Sequence, residues 1–457
     1  MTHHASGESF LSRRSFLQTS AATATAASAL FSADRVMASS EKPAVLGGTP
    51  VVSGGLPGWP IADEHEEQAL RQVLDSGNWY RYAAGDASRV AQFELSWAKD
   101  VGTPHAQATS SGTSALVTAL AALDVGPGDE VLVPPYTFVA TINAVLAHHA
   151  LPVFVDSDPE TALMDPDQIE QHINNNTRAI LPVHIAGAPC EMDRILEIAR
   201  RHDLKVIEDA CQAHTAAWKG KRVGSIGDAG CFSFQNSKNI TSGEGGAITT
   251  GDAMLYANAQ AYQNNGSGRG RLEDDGVRTS NGANLRLTEF QGALLLAQLE
   301  RQAELTKRRE QNGALLNKLL EAVPGVRAKR TYEGTTRHGY HLYMLDYDPD
   351  QFAGMSKSRF RQAVGAEGVP ISGGYTALNK QPFIEQFLSS RGFGRIYSPR
   401  RLKEYRKQNH CPANDQMITN TCWLPQTVLL GTGEQMQAIA DAFARVRKHA
   451  GKIAKMG

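Results

Sequence analysis

The sequence predicts an α/β fold: an open, largely parallel sheet covered by helices, followed by a smaller C-terminal α+β domain. Three observations carry this expectation. The chain has 457 residues, 41% of them hydrophobic and 20% charged, which suits a globular protein with room for a full core and a second domain. Between about Ile61 and Thr250, short apolar runs alternate with amphipathic stretches, the pattern of successive βα units. From Leu287 an unbroken helical pattern runs through Gln298 toward Arg308 and reads as the link to the second domain, which begins near Gly325.

The strands are expected at 106–108, 131–133, 153–155, 179–183, 205–208, 231–234 and 247–249. Each is a short apolar run of the kind that is buried on both faces of a parallel sheet. Helices are expected at 113–123, 137–149 and 192–202, where apolar residues recur three and four apart. The division that follows is an arm over 39–60, a large domain over 61–310 and a smaller domain over 311–457. A net charge of −1 gives no electrostatic case for nucleic acid or an anionic membrane. Five scattered cysteines without a CxxC pair suggest reduced, mostly buried thiols, with neither a disulfide framework nor a metal site.

Residues 1–38 stand apart. Ser12-Arg13-Arg14-Ser15-Phe16-Leu17 precedes an Ala/Thr/Ser-rich run and then Val36-Met37-Ala38, a small-residue cleavage pattern. Together these resemble a twin-arginine export signal; the alternative is a tail with a chance Arg-Arg pair. The apolar run is too short and too rich in hydroxyls to anchor in a bilayer, which takes ~20 apolar residues. The expectation is export to the periplasm by the twin-arginine translocase.

Four motifs then carry chemistry, in a fixed order. Ser110-Ser111-Gly112-Thr113-Ser114 opens a helix after a strand. Free N–H groups and the helix dipole there suit an anion such as a phosphate, although an ordinary Ser/Thr cap reads the same way. Val206-Ile207-Glu208-Asp209 brings an apolar strand to an acid. A buried carboxylate in that place needs a cationic partner, unless Asp209 simply caps the next helix. Cys231-Phe232-Ser233-Phe234 delivers Lys238 into a polar loop that Gly243-Glu244-Gly245-Gly246 turns back into a strand. A lysine held there with a lowered pKa attacks carbonyls as the free amine; a lone lysine is otherwise a solvated surface residue. Asn281-Gly282-Ala283-Asn284 leads into the long helix with polar groups able to reach a site.

In this order the motifs resemble the DegT/StrS-type sugar aminotransferases, of the aspartate-aminotransferase fold (pyridoxal-phosphate fold type I). The likeness starts at Leu46-Gly47-Gly48-Thr49-Pro50, takes in Pro135-Tyr136-Thr137-Phe138, and ends at Trp423-Leu424-Pro425-Gln426. It implies that pyridoxal 5′-phosphate is the cofactor and that Lys238 holds it covalently and shuttles the proton. Asp209 is implied at the ring nitrogen, Gln212 at the phenolic oxygen side and Phe138 on the ring face. Gly112, Thr113, Ser114 and Ser233 are implied at the phosphate. Asn284 is implied at the phosphate of a neighbouring subunit, hence a homodimer with shared sites.

Gly374-Tyr375, Asn379 and Cys411-Pro412 look closest to members acting on keto-inositols. The expected reaction moves an amino group from glutamate or glutamine to a keto-sugar or keto-cyclitol. Gln235-Asn236-Ser237 and His214-Thr215 depart from the usual pattern and bear on the substrate more than on the cofactor. Two alternatives stand beside this. One is a sugar dehydratase of the same fold, whose relatives carry histidine where Lys238 stands. The other is an exported cofactor- or sugar-binding protein without turnover.

Overall fold

The computed structural model describes residues 42–83, 85–267 and 280–456; the export signal expected at 1–38 lies outside them. Two helices, Glu64–Ser76 (α1) and Arg89–Val101 (α2), precede the main sheet. Asp63 closes a capping box with Glu66 at the start of α1, and Ser88 caps α2 through the N–H of Ala91. Both helices end on a left-handed glycine, Gly77 and Gly102, where a side chain on Cβ would be strained.

The sheet strands are His105–Thr109 (β1), Glu130–Val133 (β2), Leu151–Phe154 (β3), Thr177–Ile180 (β4), Lys205–Asp209 (β5), Ala229–Ser233 (β6) and Gly246–Thr250 (β7). Their order is β1-β7-β6-β5-β4-β2-β3. Pairing is parallel from β3 through β2, β4 and β5 to β6, and only β7 runs against the rest. The carboxyl ends of β1, β2, β4, β5 and β6 therefore share one edge. Gly112–Ala122 (α3), Val139–Ala147 (α4), Met192–Arg201 (α5) and Ala253–Gln263 (α6) cover the sheet. One core cluster around the sheet holds Val131, Leu132, Ile142, Phe154, Ile180 and Ile207; a second holds Phe93, Trp97, Phe232, Phe234 and Leu295. Each such side chain removed from water contributes roughly 1.5–3 kcal/mol.

Helix Glu289–Leu320 (α7) carries the chain to the second domain. Its first turns pack into the large-domain core through Leu295, its last turns into the small-domain core through Leu316, Leu319 and Leu320. The expected boundary at 310 falls inside this helix, which runs on through Gly313 because Leu316, Leu319 and Leu320 keep the helical spacing of apolar residues. Val326–Ala328 (β8), Leu342–Tyr347 (β9) and Thr421–Pro425 (β10) form an antiparallel sheet in the order β8-β9-β10. Lys357–Ala366 (α8) and Gly433–Lys448 (α10) pack with it. The arm follows the same core: Ala44 and Val51 donate their N–H groups to the buried Glu367 carboxylate, at 2.8 and 3.1 Å.

The C-terminal part is less uniform than a contiguous domain over 311–457. Residues 378–417 return to the large domain, where Leu378, Phe393, Tyr397, Leu402 and Tyr405 join its core. Polar anchors fix the return. In helix Pro399–Gln408 (α9), the Arg401 Nε lies 2.6 Å from the Glu130 carboxylate, and Tyr405 donates to the Pro152 carbonyl at 2.8 Å. Thr335–Arg337 likewise leaves the small domain and pairs with Ala217–Trp218.

Glu289 welds α7 to α2. Its carboxylate is 2% exposed and accepts from the Ser88 hydroxyl and from the N–H groups of Arg89 and Val90. Glu289→Ala strands these donors, and is expected to lower unfolding free energy by about 2–4 kcal/mol in chemical denaturation. A loss below about 0.5 kcal/mol contradicts this account.

Candidate active site

The shared strand edge opens into a cavity of about 590 Å³. Seven of the nine residues expected at the site line it: Gly112, Thr113, Phe138, Asp209, Gln212, Ser233 and Lys238. They come from the carboxyl ends of β5 and β6 and from the segments that follow β1, β2, β5 and β6, where an α/β sheet presents its binding groups.

At the phosphate end, Ser111 caps α3 through the N–H of Ser114 at 3.0 Å. A Cβ on Gly112 would lie 2.6 Å from the Ser233 Cβ and 3.0 Å from the Cys211 Sγ. The glycine thus lets the first turn of α3 stand directly against Ser233, so that backbone N–H groups meet the cavity. Ser114 sits one turn behind, its hydroxyl engaged by Ser110 and Ser111 at 2.9 and 2.8 Å, and it does not line the cavity.

Asp209 closes β5 at 4% exposure. No helix follows it, so the capping alternative does not apply. One carboxylate oxygen accepts from the Thr141 hydroxyl at 2.8 Å, the other from the Cys211 N–H at 3.2 Å. Among the described residues no cation lies within ion-pair distance of it. Gln212 accepts from the Ala186 N–H at 2.9 Å and donates to the Tyr375 hydroxyl at 2.9 Å. Ala186 holds a left-handed φ of 58°, a strained state for a residue with a Cβ; that turn aims its N–H at Gln212.

Lys238 stands in a turn whose backbone N–H donates to Gln235 at 2.9 Å. Burial holds its ammonium below the usual lysine range, while the nearby Cys211 and Asp209 pull the other way. Among the described residues no hydrogen bond or ion pair ties up its amine. Two histidines stand close by. His214 donates from Nε2 to the Ser233 carbonyl, and burial pushes it down to about 3. His341, on the approach to β9, lines the cavity and is held well below the ordinary value by burial and by the Lys238 charge. In both, burial favours the neutral imidazole.

Asn284 is exposed and outside the cavity, in an isolated bridge with Asn264. Sequence reasoning did not find His341, and it gave Tyr375 no place in the site. Both arrive from the C-terminal part, and only the adjacent His341-Leu342-Tyr343 run, ahead of a strand, hints at the first. A larger cleft, about 990 Å³, opens between α7 and residues 326–344. Its walls carry both signs of charge, as in Glu310, Lys329 and Arg330, and none of the expected site residues.

Moving an amino group through a carrier asks three things of a protein: an amine that is nucleophilic near neutrality, a fixed anion for a ring cation, and a cradle for a phosphate. Lys238, Asp209 and the Gly112 turn fit these demands within one cavity. A sheet and a site so arranged are those of pyridoxal-phosphate enzymes of fold type I. The chain belongs to the DegT/DnrJ/EryC1/StrS aminotransferase family, which it matches over residues 60–444, and it is a pyridoxal-phosphate-dependent aminotransferase.

Its relatives include the L-glutamine:2-deoxy-scyllo-inosose aminotransferase of Streptoalloteichus tenebrarius, 35% identical over 90% of this chain and 98% of that one. The L-glutamine:scyllo-inosose aminotransferase of Streptomyces griseus is 37% identical over 74% of this chain and 82% of its own. Among solved structures, 3-amino-5-hydroxybenzoic acid synthase superposes with a TM-score of 0.75 at 31% identity, covering 86% of this chain and 98% of that one. An aminotransferase from Psychrobacter cryohalolentis gives 0.73 at 31%, over 85% and 98%.

Burial disfavours the charged ammonium, so the Lys238 amine of cofactor-free protein is expected to become reactive at lower pH than an exposed lysine. Competitive acylation followed by mass spectrometry measures this. A midpoint at or above that of surface lysines refutes it.

Proposed function

We propose that this protein transfers the amino group of glutamine or glutamate to a keto-cyclitol or keto-sugar, with Lys238 as the catalytic residue. The observation that carries the reading is that the Lys238 amine and the Asp209 carboxylate face a single cavity. The substrate class draws support from relatives named for glutamine and inososes.

Bound pyridoxal phosphate supplies an electron sink for the pair left when the substrate carbon loses its proton. Lys238 holds the cofactor covalently. Displaced by the amino donor, its free amine would take the proton from the donor's α-carbon and give one back on the cofactor side of the amino nitrogen; in the second half-reaction it would do the reverse. Asp209 would keep the ring nitrogen protonated through charge, since among the described residues its carboxylate has hydrogen-bond donors but no competing cation. The first turn of α3, with Gly112 and Thr113, and the Ser233 hydroxyl would hold the phosphate, while Ser114 supports that turn from behind through Ser110 and Ser111. Phe138, 54% exposed at the cavity wall, covers a ring face. The proton shuttle favours this over the two alternatives: a dehydratase of this fold has histidine at position 238, and binding alone needs no free amine.

The same reading includes a homodimer. Ser110 donates its N–H to the Leu285 carbonyl at 2.7 Å, and the adjacent Asn284 is exposed and outside the cavity of its own chain, which leaves its side chain available to the phosphate of a second copy. Trp79 and Tyr80, 54% and 50% exposed, flank that segment: the Glu289 backbone N–H donates to the Trp79 carbonyl, and Arg286 lies over the Tyr80 ring. The Arg13-Arg14 segment and its cleavage pattern support export through the twin-arginine translocase, a route taken by folded, cofactor-loaded proteins.

Lys238→Ala is expected to abolish the visible absorption of the covalent cofactor and cut transamination by at least about 10²–10⁴-fold; survival of both defeats the assignment. Inactive Lys238→Ala and Asn284→Ala chains, mixed to form heterodimers, are expected to regain activity, because one of the two sites is then intact. No recovery in heterodimers shown to form excludes site sharing.

A further inference from the structure

The direction of one hydrogen bond leaves a proton unassigned. The Ala186 N–H fixes the Gln212 carboxamide oxygen, so the amide nitrogen must face the other way, and it donates to the Tyr375 hydroxyl. The phenol oxygen is thus an acceptor there, and its own proton points elsewhere. Among the described residues nothing accepts that proton. Tyr375 lines the same cavity as Gln212 and Lys238, so the free O–H belongs to whatever occupies it.

The ring is held firmly. Its centroid lies 5.6 Å from Tyr136 and 4.5 Å from Trp423, both edge-on. Its backbone N–H donates to the Tyr136 hydroxyl at 3.3 Å. Gly374 before it has a φ of 82°, and a Cβ there would lie 2.7 Å from the Tyr136 oxygen. Burial pushes the Tyr375 phenol up to about 12, so it keeps its proton across the working range. Asp209 is the charged group that bears on it, and the Gln212 bond fixes the hydroxyl on the Gln212 side of the cavity.

We propose that Tyr375 donates a hydrogen bond to the phenolic oxygen of bound pyridoxal phosphate, beside the second N–H of Gln212. This rests on the reading that places Gln212 at that oxygen. Two donors stabilise the ionised form of the oxygen. An oxygen so stabilised would hold less strongly to the proton it shares with the nitrogen that Lys238 contributes, so that this nitrogen would lose its proton nearer neutrality. Tyr375 would then join the C-terminal part of the chain to the electronics of the cofactor.

The titratable groups around that cavity are Asp209 and Cys211 from the turn after β5, Lys238 and Glu244 from the loop after β6, His341 before β9, and Tyr136 after β2, behind the Tyr375 ring. Tyr375→Phe removes none of them and keeps the ring packing. In the holoenzyme, the pH midpoint of the visible absorption change is expected to rise by about one unit in Tyr375→Phe. Placing 3-fluorotyrosine at 375, a stronger donor of the same shape, is expected to lower the midpoint and keeps the test open if the Phe variant does not fold. A folded, loaded Phe variant with an unmoved midpoint, or a fluorotyrosine protein whose midpoint does not fall, overturns the proposal. A wild-type protein with no visible cofactor band would instead overturn the reading beneath it.

Discussion

The catalytic edge is governed by a carboxylate nearly sealed from water, with no cation of the chain within reach among the described residues. Burying an ion that way costs several kcal/mol unless something compensates. Asp209 receives only a hydroxyl and one backbone N–H, which leaves room for a cationic ring atom. Its neighbour Glu208 is the contrast. Fully buried, it is satisfied from within, by the N–H groups of Gly224, Ile226 and Gly227 at 2.7–2.8 Å and by the His184 ring at 3.0 Å. Adjacent residues of a strand face opposite ways. One acid therefore ties the sheet to the 222–228 turn, and the next is kept for a ligand.

Much of this was legible in the sequence, and particular residues show why. The strand cores at Val131–Val133 and near Ile207 stand out because a parallel sheet buries both faces of each strand. Helix α4 begins later than expected because Phe138 is extended, with φ −72° and ψ 142°, which turns its ring toward the cavity. Helix α7 runs 12 residues past Arg308, to Leu320, since helical periodicity alone marks no end. The two-residue strands Ala217–Trp218 and Lys221–Arg222 are too short to show a period. Within the site, Lys238, Asp209 and the Gly112 turn belong to local motifs. Tyr375 reaches Gln212 across 163 residues of chain, and only the tertiary fold brings such a pair together.

The domains are bound to each other by several crossings rather than one. Helix α7 shares its two ends between two cores, Thr335–Arg337 pairs with Ala217–Trp218, and the arm docks on Glu367, which is also paired with Arg445 at 3.1 Å. His341 and Tyr375 thereby meet the large-domain residues of the cavity in a fixed relation. A site built from facing elements on separate cores is stiff where each core is stiff, and adjustable only along the few segments that join them.

The return of residues 378–417 to the large domain also bears on the order in which a nascent chain acquires its shape. The sheet beginning at His105 is finished at Thr250, yet the core on one of its faces lacks Leu402 and Tyr405 until the C-terminal segment has been made. Contacts such as Tyr405 to Pro152 span 253 residues, a separation that makes closure slow. A ribosome halfway along this message therefore presents an incomplete large domain with apolar surface still bare, a form open to chaperones and to aggregation.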